Sequence, residues 1–328
     1  MKCINKWSCL SLLIAVSCVS GCGKTSTAIE QPYDVYATAA DFGLSSNGTA
    51  EAKSYFASNL CVSEDVAIGT DSTDSQVAEG AGTFNLETNT VVYAKNLYER
   101  LYPASTTKIL TAYIALKYCD DLDAMVTVSE NAVNQASDSS VCNLKAGDVI
   151  RLRDLLYGLM LRSGNDAAVA IAEYISGDVD SFAALMNQEA AAMGATRSHF
   201  VNPNGLPDEN HYTCVYDMYL IFSNAIKNDT FVSIIGTTSY DVTYTDASGE
   251  AVTHTWENTN QYLTGNATTP DGFQIVGGKT GTTGEAGYCL VLYSYNPSGQ
   301  PIISIVFKAD GKSNLYLLMN EMLQGFAI

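Results

Sequence analysis

The feature that most limits how this chain can fold is the placement of its strand signals at two ends. Residues 82–94 alternate apolar and polar side chains around a Glu87-Thr-Asn89 turn, a hairpin pattern. The other long strand-like runs, 273–282, 287–295 and 301–308, come only near the C-terminus, the last two joined by Asn296-Pro-Ser-Gly299. Between them the pattern is mostly helical. Apolar residues of 102–117 (Ile109, Leu110, Tyr113, Ile114, Leu116) fill most of a helix circumference, so this helix is expected to be buried all round. Leu152, Leu155, Leu156 and Leu159 repeat at helical spacing within 150–161. The pattern stops at Ser163-Gly-Asn165 and resumes over 166–175. Further helices are read over 180–193, stopped by Gly194, over 215–226 and over 312–326, with a hairpin over 239–256 turning at Ala247-Ser-Gly249. Residues 51–58 read as a short helix, 120–150 as mixed and polar, and 202–207 as loop. Sheet elements from both ends must therefore meet around a helical insert of roughly 105–235, which is an α+β arrangement.

The first residues do not belong to that fold. Lys2 and Lys6 precede an apolar run over 10–19 that is too short to span a bilayer. It reads as a signal peptide ending in Val19-Ser-Gly-Cys22, which resembles the lipobox of bacterial lipoproteins. Cleavage would leave 1–21 behind and Cys22 as the lipidated first residue, although Cys18 follows Ala15-Val-Ser in the same manner. Residues 22–50, rich in small and polar types, read as a tether, and 51–328 as the folded domain. Beyond the signal region stand Cys61, Cys119, Cys142, Cys214 and Cys289, an odd number, among which a Cys119–Cys142 disulfide is allowed outside the cell. No C-x-x-C occurs, and His199, His211 and His254 show no metal-site spacing, so neither metal nor other cofactor is expected. With Lys+Arg of 17 against Asp+Glu of 35, the formal charge of −18 argues against a nucleic-acid partner.

Three short motifs carry chemistry. Ser105 and Lys108 stand three apart at a helix start marked by Pro103, whose missing N–H suits a first turn. A hydroxyl is a poor nucleophile until a base takes its proton, and a buried lysine, held neutral, can be that base. Ser163 and Asn165 fall in an interhelix loop. Ser163 can relay a proton to a leaving amine, and Asn165 can hold both Lys108 and a substrate amide. Lys279-Thr-Gly281 lies on a strand. Lys279 would place a cation near an anionic substrate terminus and keep Lys108 neutral by repulsion, while Thr280 would offer a hydroxyl to a carboxylate. Gly281 would let a substrate backbone approach the strand. The N–H groups of Ser105 and Thr282 would form an oxyanion hole, each worth about 3 kcal/mol.

The trio is the one known from class A β-lactamases and penicillin-binding proteins. Longer stretches resemble the D-alanyl-D-alanine carboxypeptidase family: Pro103-Ala-Ser-Thr-Thr-Lys-Ile-Leu-Thr-Ala112, the run from Leu156 through Ser-Gly-Asn to Ala168, and His199-Phe-Val-Asn-Pro-Asn-Gly-Leu206. Asn258-Thr-Asn260, Gly278-Lys-Thr-Gly-Thr-Thr283 and Ala286-Gly-Tyr-Cys-Leu290 complete the match across most of 80–310. The resemblance implies the serine β-lactamase/transpeptidase-like fold, removal of a terminal D-alanine from peptidoglycan stem peptides, and covalent inhibition by β-lactams. It gives His199 and residues 202–206 a mainly structural role. Two departures stand out: the chain stops at Ile328, where many members continue into a β-rich domain and a membrane-binding helix, and after the last strand, where many carry an arginine that helps hold the substrate carboxylate, this chain offers only Lys312 nearby. Anchoring is therefore expected through a lipid on Cys22, at the outer face of the cytoplasmic membrane. Rival readings are a β-lactamase of the same fold, for which the E-x-x-L-N segment of class A enzymes is missing, and a non-enzymatic, lipid-anchored receptor for penicillin or wall peptides.

Overall fold

The computed structural model describes residue 57 and residues 59–328. The signal region, the tether, Cys22 and nearly all of the expected helix over 51–58 lie outside the described residues. Strands β1 (Ala78–Asn85), β2 (Thr90–Lys95), β7 (Gln274–Thr283), β8 (Gly287–Tyr295) and β9 (Pro301–Ala309) form one antiparallel sheet in the order β2-β1-β9-β8-β7. The two ends of the described chain meet where β1 pairs with β9: Ala81 faces Val306, and the hydroxyls of Thr83 and Ser304 lie 3.2 Å apart.

The central strands of this sheet are covered on both faces, so β8 and β9 are near-continuous apolar runs instead of strict alternations. Ile303, Ile305 and Phe307 face the helical middle, whereas Ile302 and Val306 face the C-terminal helix α9 (Lys312–Phe326). Leu315, Leu318, Met319, Met322 and Leu323 recur at the spacing of a single helix face, and this stripe seals the sheet.

On the opposite side lie α1 (Lys108–Tyr118), α2 (Glu130–Val133), α3 (Leu152–Met160), α4 (Asn165–Ser176), α5 (Val179–Ala192), α6 (Val215–Ala225) and α7 (Asp229–Ile235). Helix α1 is the hub, packing on α3, α4, α5, α6 and α7, and Lys108, Ile109, Leu110, Thr111, Ala112, Ile114 and Ala115 are all buried. The expectation of a helix buried nearly all round is met. A second antiparallel sheet, β3 (Met125–Thr127), β4 (Val149–Arg151), β5 (Ser239–Thr245) and β6 (Ala251–Glu257), extends the expected hairpin over 239–256. It docks on α3, where the rings of Tyr157 and Tyr240 stack 3.7 Å apart. A short helix, α8 (Gln261–Thr264), leads into β7. The five cysteines 61, 119, 142, 214 and 289 are free thiols, so the Cys119–Cys142 disulfide does not form.

Candidate active site

Ser105 does not lie on an α-helix. It sits in a 3₁₀ turn, Ala104–Thr107, and α1 begins only at Lys108. The difference favours the chemistry, because at three residues per turn positions i and i+3 eclipse, which aligns Ser105 with Lys108. Ala104, just before the serine, takes a left-handed φ of 48°, so the turn is held by its surroundings. Two glycines let those surroundings close in. A Cβ on Gly205 would lie 1.8 Å from the Ala104 carbonyl oxygen, and one on Gly281 would lie 3.0 Å from Ser105 N. Gly281 thus admits the nucleophile turn against β7, and it also lines a cleft that opens from Ser105.

Lys108 is fully buried, and its Nζ lies 2.9 Å from Ser105 Oγ, 2.8 Å from Asn165 Oδ1 and 2.7 Å from the Asn204 carbonyl oxygen. Burial, and then the charge of Lys279, hold this amine well below the usual lysine range. A neutral amine has two N–H groups and one lone pair. Its two hydrogens go to Asn165 Oδ1 and the Asn204 carbonyl, which only accept, so the lone pair is left for the Ser105 hydroxyl. The Ser105 N–H makes no hydrogen bond among the described residues and is available to an oxyanion.

Ser163 stands in the α3–α4 loop with a left-handed φ of 60°. Gly164 follows because a Cβ there would lie 2.3 Å from Cys142 Sγ. Asn165 opens α4, and the adjacent Asp166 carboxylate accepts from the N–H groups of Cys142 and Leu144, at 2.9 and 3.1 Å. That clamp, with Asn165 N donating to the Ser140 carbonyl at 2.8 Å, fixes the wall formed by the loop before Cys142. From β7, Lys279 Nζ donates to Ser163 Oγ at 3.0 Å and to the Thr280 carbonyl at 2.9 Å, and burial pushes its ammonium down to about 7.

The structure therefore brings together Ser105, Lys108, Ser163, Asn165, Lys279, Thr280, Gly281 and Thr282. Two clefts open from Ser105. One of about 230 Å³ is lined by Ser163, Thr280, Thr282 and Lys312, among others. The other, about 390 Å³, is lined by Asn165, Asn204, Thr282, Asp138 and Glu285, among others. Cys22 lies outside the described residues.

Sequence reasoning missed three participants. Asn204 acts through its backbone carbonyl, to which residue type gives no clue. Thr259 places its hydroxyl 2.6 Å from that of Thr280, and no feature of a lone threonine announces this. His211 is buried behind the nucleophile turn. Its Nδ1 accepts from Val201 N at 3.2 Å, so Nε2 carries the proton toward Thr107 Oγ1 at 2.9 Å, and burial lowers the imidazole to about 4. It is thus a neutral, structural histidine. His199 binds the Asn210 carbonyl through Nδ1 at 2.6 Å, a structural contact as expected.

A serine hydroxyl against a dry amine, with a second amine reaching in from a sheet edge, marks the class of serine–lysine acyl-transfer enzymes. The family model described as D-alanyl-D-alanine carboxypeptidase matches residues 69–311. The D-alanyl-D-alanine carboxypeptidase DacF of Bacillus subtilis is 34% identical over 75% of this chain, which spans 61% of that protein's length. A D-alanyl-D-alanine carboxypeptidase of Streptomyces is 34% identical over 76% of this chain and 88% of its own length. The crystal structure of a Streptomyces DD-transpeptidase superposes with a TM-score of 0.71 at 33% identity, covering 77% of this chain and 98% of that one. This chain belongs to the D-alanyl-D-alanine carboxypeptidase family of serine peptidases. Its fold is the α+β, serine β-lactamase/transpeptidase-like fold.

Proposed function

We propose that the protein removes the C-terminal D-alanine from peptidoglycan stem peptides through an acyl-enzyme on Ser105. The observation that carries this reading is the environment of Lys108, whose N–H groups are engaged by carbonyl oxygens while its lone pair is left to the serine. Lys108 takes the hydroxyl proton as Ser105 Oγ attacks the carbonyl of the penultimate D-alanine. The N–H groups of Ser105 and Thr282 hold the resulting oxyanion. The C–N bond then breaks, and the proton passes from Lys108 through Ser163 to the departing amine of D-alanine. Water, deprotonated by Lys108, cleaves the ester and restores the serine. Lys279 and Thr280 hold the substrate carboxylate, with Lys312 lining the same 230 Å³ cleft. A β-lactam enters the same chemistry and stays attached, because its ring opens without releasing a fragment.

The domain layout proposed with this activity is a signal peptide over 1–21, a tether over 22–50 and the folded domain over 51–328, attached through a lipid on Cys22 outside the cytoplasmic membrane. No helix among the described residues is long and apolar enough to cross a membrane. The test is mass spectrometry of the purified protein with a pentapeptide ending in D-Ala-D-Ala, followed by a chromogenic cephalosporin. Loss of one alanine together with slow cephalosporin turnover is the expected pair of results. Rapid turnover would make the protein a β-lactamase, and an intact pentapeptide would refute the carboxypeptidase reading.

A further inference from the structure

We propose that His211 is a positioning residue for acyl transfer: it ties the loop that presents the Asn204 carbonyl to the turn that carries Ser105 and Lys108, and so keeps the Lys108 lone pair on the serine. The proposal rests on the reading of Lys108 as the base. His211 touches neither Ser105 nor either cleft, so it acts only through the groups it holds.

Lys108 is oriented by a group from a distant part of the chain. The Asn204 carbonyl that takes one of its hydrogens at 2.7 Å stands 96 residues further on, in the loop over 199–207. Two contacts flank that hydrogen bond and decide where the carbonyl lies. On one side Thr111 Oγ1, a turn further along α1, donates to the Pro203 carbonyl at 2.6 Å. On the other, Thr107, the residue just before Lys108, has its Oγ1 2.9 Å from His211 Nε2, and His211 Nδ1 accepts from Val201 N at 3.2 Å. The imidazole thus spans from the nucleophile turn to the start of the loop.

The chemistry of a neutral imidazole suits this task, because it accepts at one nitrogen and donates at the other across a rigid ring. Burial lowers the ring's pKa to about 4, so the form that makes both contacts persists at neutral pH. His211 and Thr107 are both buried, so neither contact is shared with solvent. The ring is itself held firmly. Tyr212 and His199 exchange both backbone hydrogen bonds at 2.9 Å, His211 N donates to the Asp208 carbonyl at 2.9 Å, and the Phe200 ring stands edge-on at 5.4 Å. A fixed ring on a fixed backbone transmits position from loop to turn.

The experiment is stopped-flow acylation by benzylpenicillin over a range of concentrations, which separates the acylation step from the affinity of the complex that precedes it. Thr107→Val is close in shape and removes the hydroxyl that meets Nε2. His211→Asn removes the nitrogen that meets Thr107, while its amide oxygen can still accept from Val201. The double variant removes the same contact. Thermal unfolding of each preparation confines the comparison to folded protein, and if His211→Asn does not fold, Thr107→Val decides alone. Each single variant should slow the acylation step roughly 10- to 100-fold, the scale of a misplaced reacting group, with the preceding affinity unchanged. The double variant should be no slower than the slower single, because a shared contact is lost only once. A wild-type acylation step in folded Thr107→Val, even with a lowered unfolding temperature, would make the bridge a contributor to stability alone and overturn the proposal. Losses that multiply in the double variant, or a loss confined to the preceding affinity, would overturn it as well. Absence of any acylation of the wild type would remove the reading of Lys108, and the positioning role with it.

Discussion

Replacing Gly205 by alanine tests how the nucleophile turn is held. Gly205 has φ +86°, and a Cβ there would sit 1.8 Å from Ala104 O and 2.4 Å from Ala104 C, both backbone atoms that no rotamer change can clear. Gly177 is a matched control, since its φ is +85° but nothing lies within 4 Å of an added Cβ. Both substitutions carry the left-handed conformational cost, about 1–2 kcal/mol, and only G205A adds overpacking of about 1–3 kcal/mol. At roughly 2–4 °C per kcal/mol for a domain of this size, G205A should melt about 2–12 °C below G177A. Relief of the clash must also shift the neighbouring Asn204 carbonyl, which accepts from Lys108 at 2.7 Å. Leaving that buried amine short of a partner costs about 1–3 kcal/mol, so labelling by a fluorescent penicillin should slow by roughly 5- to 150-fold. The assays are thermal unfolding and labelling rate on the same preparations. A G205A protein that melts with G177A and labels at the wild-type rate would show that the loop does not bear on the nucleophile turn as described.

Lys108→Ala should lower the penicillin acylation rate by about 100- to 10,000-fold, the range of general-base catalysis, and Lys279→Arg by much less, because arginine keeps the charge. Similar losses in stopped-flow acylation would contradict the two roles. The pH profile of acylation should be bell-shaped. The rate rises as Lys108 becomes neutral, through a pKa below the usual lysine value, and falls above about 7 as Lys279 loses its charge. The falling limb should vanish in Lys279→Arg, and its persistence would assign it to another group. Cys22→Ala should release activity into the medium or block precursor processing, because the proposed lipid attachment rests on that residue. A membrane-bound, normally processed variant, seen by cell fractionation, would exclude the lipid anchor.

How much of this molecule was legible in its sequence depended on how local the signal was. The Ser105–Lys108 pair is three residues apart, so any tight helical turn brings the two together, whether α as expected or 3₁₀ as found. Helix α9 declared itself through Leu315, Leu318, Met319, Met322 and Leu323, a stripe that no strand could bury. Strands β3 and β4 did not, since each is three residues long and forms only through pairing across the chain. Helix α7 was missed because Phe231, Val232, Ile234 and Ile235 are aromatic or β-branched, types that favour strands. Its one local clue was Asn228, whose side chain accepts from the N–H groups of Thr230 and Phe231 at 2.9 and 3.1 Å. At the site, motif side chains were readable. The Asn204 carbonyl and the steric reasons for Gly205 and Gly281 were not, because backbone contacts between distant segments leave no mark on residue type.

The central claim, that acyl transfer passes through Ser105, is tested most directly by peptide mapping. Protein exposed to benzylpenicillin is digested and the adduct located by tandem mass spectrometry. The expected result is a single penicilloyl ester on Ser105, absent from a Ser105→Ala variant that unfolds at the wild-type temperature. An adduct on Ser163, or none on folded wild-type protein, would contradict the claim.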